Sequence, residues 1–404
     1  MTNDFKLNDK IIALMKKGVR IPCPYSIEIG DDVDEGRISG YGVVLHSGTK
    51  LFGSQTTIGS SAILGYESPL TAVNCQIGTG VELRGGFCRD SLFLEGVSVA
   101  SGAQVREGCI LEEGVRLGHN VGLKQTILFP FVTLGSLINF CDCLMAGGTS
   151  RKNHSEVGSS YIHFNYTPNQ DKATPSLIGD VPRGVMINQP PVFLGGQGGL
   201  VGPARIGYGT VVRAGTIVRK DSPEGGKLIG SREILPDKVF SREGVHGDVE
   251  RKVRNNIHYL ASLLVLRQWY AHIRRIFFRA REFGEEMDQG ASEKLETALF
   301  ERLQRLREFV ESAAAHPFIQ SIRWPELVVC FTSKIEEKTA VRERDAFIGV
   351  IQNRILKEGP DYIRVIQGLL PREVALGTAW LQAVLDDIVK RASAGIGSPQ
   401  GVVK

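Results

Sequence analysis

The chain lacks the features that would place it in a membrane, on nucleic acid or in an oxidising compartment. No stretch of 18 apolar residues occurs in its 404, so no segment is long enough to span a bilayer as a helix. Neither sign of charge dominates. With 48 Lys and Arg against 44 Asp and Glu the net charge is only +4, and acids and bases are interspersed. That balance argues for neither nucleic acid nor an anionic membrane as partner. The seven cysteines are an odd number with no CxxC pair and no His-rich spacing, so they read as small buried hydrophobes in a reducing compartment. Residues 1–17 mix acids with bases around a short apolar run, unlike a signal peptide. The expectation is a soluble, cytoplasmic protein. Glycine is scarce only after residue 248, where 9 of the 47 lie, against 38 before it. Because glycine suits tight corners and weakens helices, a domain boundary is expected there.

What is abundant is a period of six. Phe93, Val99, Val105, Leu111, Leu117, Leu123 and Phe129 recur at that interval. Four residues after each such position, starting from Val97, sits a small or β-branched residue: Ala103, Cys109, Val115, Val121, Ile127, Thr133. Six fits neither the 3.6 of an amphipathic helix nor the 2 of a half-buried strand. It is the period of a hexapeptide β-helix, a chain that turns a corner every six residues and sends one side chain inward. Three hexads make a coil, so residues 18 apart are expected to stack. The repeat begins loosely near residue 27 and returns at Ile206, Val212 and Val218. Between the two blocks, residues 146–153 and 182–200 read as projecting loops, where function tends to sit.

The rest reads as helix. Residues 4–17 form one amphipathic helix ended by Gly18 and Pro22, while 250–283, 292–315, 341–357 and 371–392 make a helical half. Leu295, Leu299, Leu303, Leu306 and Val310 give one apolar stripe. The basic residues Arg267, Arg274, Arg275, Arg279 and Arg281 read as a solvated helix face. The predicted organisation is a capping helix at 1–20, a β-solenoid at 21–247 and an α-helical bundle at 248–404. Both helical parts are expected to cap the solenoid ends.

Two segments go further. FNYTPNQDKATPSLIGD at 164–180 and LVGPARIGYGTVVRAGTIVRKD at 200–221 resemble the acetyltransferase half of the bifunctional glucosamine-1-phosphate acetyltransferase/N-acetylglucosamine-1-phosphate uridyltransferase family. The resemblance covers about residues 100–235, and the family's uridyltransferase domain has no counterpart here. It implies a left-handed parallel β-helix, a homotrimer, a sugar phosphate as acceptor and acetyl-CoA as co-substrate with no tightly bound cofactor or metal.

Residue by residue, Arg106 and Lys124 match the family's phosphate-binding pair, and their spacing of 18 stacks two cations for a dianionic phosphate. Asn165 and Tyr166 match the Asn-Tyr pair lining the transfer site, and Lys172 the nearby Lys. Gly196, Ala214 and Arg232 fall where the family contacts acetyl-CoA. The family's catalytic His is replaced by Ser136, its site Tyr by Asn139 and a site Asn by Glu156. A lone Ser cannot take a proton at neutral pH, whereas an imidazole can. His163, two residues before Asn165, His154, 18 after Ser136, and Glu156 are the candidate replacement bases. His119 and the alternating Cys141 and Cys143 are weaker candidates. The run PRGVMINQPP followed by GGQGG reads as a lid or a contact with a neighbouring subunit.

Three functions fit: acyl transfer to a sugar phosphate or nucleotide sugar, a binding module that kept the phosphate site without the base, or a structural trimer whose helical half recruits a protein. Nothing points to nucleic acid or a membrane as partner.

Overall fold

The computed structural model describes residues 7–164, 172–230, 248–333 and 338–396. Residues 28–229 wind into a parallel β-solenoid with three sheets. Strands of two to four residues each pair with the strand one coil away. Sheet I has ten strands, from Glu28–Ile29 to Ile217–Val218. Sheet II has eight, from Thr57–Ile58 to Arg205–Ile206, and sheet III has ten, from Val44–Leu45 to Leu228–Ile229. One antiparallel hairpin, Gly148–Ser150 with Asn153–His154, stands outside the coil.

The expected hexad residues fill the interior. Val105 and Leu123 of sheet I, Phe93 and Leu111 of sheet II, and Val99 and Leu117 of sheet III are all buried, and Leu134 and Phe140, each one residue ahead of the sixfold count, continue the same rows. Corners are turned by residues at positive φ. Gly96 and Gly114 serve between sheets II and III, and Asp90, Gln125 and Asp142 between sheets I and II.

The register varies along the solenoid, and one slip falls inside the strict repeat. Cys109 pairs with Ser91, 18 residues back, but Ile127 pairs with Ile110 and Leu128 with Leu111, 17 back. This coil has lost one residue at its Gln125 corner. Leu128 therefore takes the interior place that the sixfold count assigns to Phe129, and Phe129 is buried against Gly184.

Ten helices complete the described residues: α1 (Asp9–Lys17), α2 (Val181–Gly184), α3 (Val249–Trp269), α4 (Arg275–Phe278), α5 (Gly284–Ser312), α6 (Pro317–Gln320), α7 (Trp324–Thr332), α8 (Val341–Glu358), α9 (Tyr362–Gln367) and α10 (Pro371–Ala394). A π-helical turn, Tyr270–Arg274, joins α3 to α4. Helix α1 starts on an Asn8 cap, ends on left-handed Gly18 and packs on the first coil, where Lys10 Nζ donates to the Asp31 carbonyl at 2.8 Å.

The helical half, expected as a cap on the far end, instead lies along sheet II. The reason is visible in the strands. Leu92, Ile110, Ile127, Leu144 and Leu177 form an outward column in register, and all are buried under the helices. A sheet apolar on both faces needs a cover. Polar contacts fix the fit: Lys294 Nζ donates to Gln76 Oε1 at 2.8 Å, and Tyr270 donates to Glu112 Oε1 at 2.6 Å. Arg274, 1% exposed, holds Glu113 at 2.6 and 3.2 Å and stacks 3.7 Å over the Tyr362 ring.

The 182–200 run also departs from the expected lid. Helix α2 with Val185, Met186 and Ile187 is buried, and Met186 packs against Gly377 of α10. The glycines behind it serve coil stacking. A Cβ on Gly195 would lie 2.3 Å from the Ala214 nitrogen, and one on Gly196 would lie 2.7 Å from the Ser159 carbonyl.

Candidate functional site

Sheet I is the open polar face. Its pairing puts Val105 beside Leu123 and Lys124 beside Cys141, so Arg89, Arg106, Lys124 and Cys141 form one outward column on successive coils. The Arg106–Lys124 stack expected from the spacing of 18 is therefore present. Asn139 lies at the start of the Cys141 strand, and one string of contacts joins the group. Cys141 donates its thiol to Asn139 Oδ1 at 3.1 Å, and Arg106 Nη2 reaches Cys141 Sγ at 4.0 Å.

Glu107 is the counter-ion, with Lys124 Nζ at 2.8 Å and Arg89 Nη2 at 3.5 Å. Burial alone would raise its carboxyl, but the Lys124 hydrogen bond, a backbone hydrogen bond and the charges of Lys124 and Arg89 together hold it below the ordinary range. Burial raises the Cys141 thiol, with Asp142 adding to the shift, so it is a packing and bridging group rather than a thiolate nucleophile. Sequence reading missed Arg89, Glu107 and Cys141 as members of this cluster. Arg89 stands 17 before Arg106, a stacking distance only once the register varies.

Behind the column, Arg302 of α5 is 3% exposed and reaches Asp142 Oδ1 at 3.0 Å and the Lys172 carbonyl at 3.4 Å. Lys172 thus sits at the same corner as Lys124, its side chain exposed. No sequence signal ties α5 to this place.

The acyl-transfer candidates divide among three environments. Ser136, Gly196 and Ala214 lie in one corner between sheets III and I: the His119 amide donates to Ser136 Oγ at 3.2 Å, the Ser136 amide donates to Ser159 Oγ at 3.1 Å, and Gly196 packs against Ser159. His119 itself faces Glu67 at 3.3 Å. Glu156 sits on sheet III, in register between Thr133 and Phe193, and His154, on the hairpin that precedes it, lies 3.8 Å away. Burial lowers the His154 pKa, and Arg151 adds to the shift, so its imidazole is neutral at pH 7.

His163 faces the interior. Its ring lies edge-on to Phe140 at 6.3 Å, and Nε2 meets Ser176 Oγ at 2.8 Å. Burial brings its pKa down to about 4. It is a neutral core histidine, away from the open side of sheet I. Asn165, Tyr166 and Arg232 lie outside the described residues. Cys143 is buried, as are Cys75, Cys88 and Cys109. No His, Cys and carboxylate cluster suited to a metal occurs among the described residues, and none of the described helices is long and apolar enough to cross a membrane.

No family model matches the chain. Curated homologues carry the name Bifunctional protein GlmU. That of Thermotoga petrophila is 29% identical over 221 residues, 53% of this chain and 42% of the relative. That of Synechococcus elongatus is 28% identical over 222 residues, 55% of this chain and 44% of the relative. The Pseudoalteromonas atlantica protein is 29% identical over 209 residues, 51% and 40% of the two chains. The chain thus spans less than half the length of the relatives it matches, and the likeness concerns a solenoid of the hexapeptide-repeat acetyltransferase kind.

Proposed function

We propose that this protein transfers an acyl group, acetyl from acetyl-CoA, to a sugar phosphate or nucleotide sugar in the chemistry that leads to UDP-N-acetylglucosamine. The observation that carries this reading is the Arg106–Lys124 step, two cations on adjacent coils of an open sheet, in a chain whose homologues are GlmU proteins. A phosphate dianion held there places the sugar along sheet I, with Asn139 at the other end of the strand. The acceptor nitrogen or oxygen attacks the thioester carbonyl as a base removes its proton, the C–S bond breaks, and CoA leaves as the thiolate, which takes that proton to become the thiol. Backbone N–H groups at the Gly196–Ala214 corner suit the developing oxyanion.

The base has to come from elsewhere, because Ser136 cannot serve. Glu156 and neutral His154 are the candidates; Glu156 lies on sheet III, a different face of the prism from the cations, and His154 on the hairpin beside it. One copy cannot bring them to one ligand; a neighbour presenting sheet III to sheet I can. Exposed apolar residues flank this corner on both faces, Leu137, Ile162 and Ile217 on one side and Phe193, Val211 and Leu228 on the other. This supports a homotrimer with sites between subunits.

The test is thiol release from acetyl-CoA with glucosamine-1-phosphate and a panel of sugar nucleotides. Turnover lost in Glu156→Gln or His154→Ala supports the shared site. The second reading, a binding module without its base, is favoured by Ser136 itself. No turnover with any acceptor, together with ligand-induced thermal stabilisation, establishes it. Ser136→His then becomes informative, since a positioned base contributes about 10²–10⁴-fold.

A further inference from the structure

Three of the arginines expected to form a solvated face are ion-paired: Arg274 with Glu113, Arg275 with Asp288 and Arg281 with Glu95. Elsewhere Arg84 holds Glu67 and Glu82, and Arg354 holds Glu358 and Glu373. One cluster breaks this habit. On the open face of sheet III, Arg116, Arg151 and Lys152 form no ion pair with a carboxylate among the described residues. Arg116 and Lys152 are exposed, and Arg116 stands in register with Thr133, which in turn pairs with Glu156. Arg151 and Lys152 form the tip of the hairpin that joins Gly148–Ser150 to Asn153–His154.

The two preceding coils cross from sheet II to sheet III in four residues, 112–115 and 129–132, whereas this one takes ten, 146–155. The extra length carries Arg151 back over the earlier corners. Its Nη1 donates to the Gly114 carbonyl at 3.0 Å and to the Phe131 carbonyl, and its Nη2 donates to Thr133 Oγ1 at 2.7 Å. All three acceptors are neutral. A guanidinium carries five N–H donors, so two remain, and the one on Nε is buried without a partner. Burial lowers the Arg151 pKa and the Arg116 charge adds to the shift, with only Glu156 opposing. The two guanidinium groups therefore feel one another. Glu156 has its closest basic partner in His154, at 3.8 Å, so three cations meet one carboxylate.

We infer that Arg116, Arg151 and Lys152 form a second phosphate subsite, separate from the Arg106–Lys124 step on sheet I. Like charges held together without a counter-ion repel, and a bound anion removes that cost. Guanidinium and ammonium groups are strong donors to phosphate oxygens. Arg151 is fixed by backbone carbonyls before a ligand arrives, which limits the ordering cost of binding. The subsite adjoins Glu156 and His154, so on the acyl-transfer reading a ligand that reaches those bases meets it too. A sugar monophosphate held by Arg106 and Lys124 has no second phosphate to offer. The ligand class, which rests on that reading, is a diphosphate carried by CoA or by a nucleotide sugar.

The probes are CoA, UDP-N-acetylglucosamine and glucosamine 1-phosphate, each titrated into the full chain by calorimetry. The variant is Arg116→Gln/Lys152→Gln, which changes exposed side chains only. It is expected to weaken a diphosphate probe by about 10- to 100-fold, through lost charge-assisted hydrogen bonds, and to leave glucosamine 1-phosphate unchanged. Weakening confined to CoA assigns the subsite to the acyl donor, and weakening confined to UDP-N-acetylglucosamine assigns it to the acceptor. Weakening of both marks a subsite for either diphosphate. Should the variant fold poorly, hydrogen exchange on the native chain decides, with the diphosphate slowing exchange at residues 148–154. Unchanged affinity for both diphosphates, an equal loss for glucosamine 1-phosphate, or no slowing at the hairpin overturns the inference. Affinities that depend on Arg116 and Lys152 in a chain without turnover remove only the acyl-transfer reading. Turnover with affinities indifferent to those residues removes only the subsite.

Discussion

Sheets I and II are built from the same repeat and treat water in opposite ways. On sheet I the outward column carries Arg89, Arg106, Lys124 and Cys141 and stays open. On sheet II the outward column carries Leu92, Ile110, Ile127 and Leu144 and is wholly buried under helices. The backbone period is the same, so the side chains between the hexad residues decide which face binds ligands and which binds the chain's own helices.

The largest break in that contrast should come at the seam. Arg274→Met leaves Glu113 partly buried without its partner and should cost about 3–5 kcal/mol in denaturant titration of the full chain. A smaller loss measures the columns themselves. Ile110→Ala should cost about 2–5 kcal/mol, whereas Gln104→Ala, exposed on sheet I, should stay within about 0.5 kcal/mol. Equal costs would erase the difference between the two faces.

The two sheets should also part company in their pH dependence. Burial raises Glu112, beneath the helices, from 4.5 to about 7, with Glu113 adding and Arg274 opposing. Its contribution to stability is present below pH 4.5 and lost as pH rises through 7. His163, inside sheet I, goes from 6.5 down to about 4. Its contribution is present above pH 6.5 and lost as pH falls through 4. Glu112→Gln should flatten the slope of stability between pH 4.5 and 7 and leave the acid limb unchanged. The smallest effect should be at the anion column. Glu107→Gln removes the carboxylate that competes for Lys124 and should tighten phosphate binding several-fold, readable by titration, with no loss of stability beyond about 0.5 kcal/mol.

Much of this was legible in the residues, and the misses have physical causes. The sixfold period carried the solenoid, and the stack of Arg106 on Lys124 followed from it. The slip at Gln125 was invisible because Leu128 and Phe129 are both apolar, and only pairing distinguishes them. Counting two along a strand puts His163 on the face of Asn165. Its own facing follows from register with Leu200 and its contact with Phe140, which only the coil geometry supplies. The helical cover was foreshadowed by triplets such as Cys109–Leu111 and Cys143–Met145, buried on both faces, but an apolar run does not say what covers it. The run at 182–191 looked like a lid because proline and glycine mark loops. Its Val185, Met186 and Ile187 were the hint that it is buried.

The cover on sheet II has a consequence for biogenesis. Coils of a solenoid can stack one at a time as they leave the ribosome, since each touches only its neighbours. The strip from Leu92 to Leu177, however, stays wet until α5 has been translated. During that interval the nascent protein displays a continuous greasy seam, which invites chaperones and, at high expression, self-association.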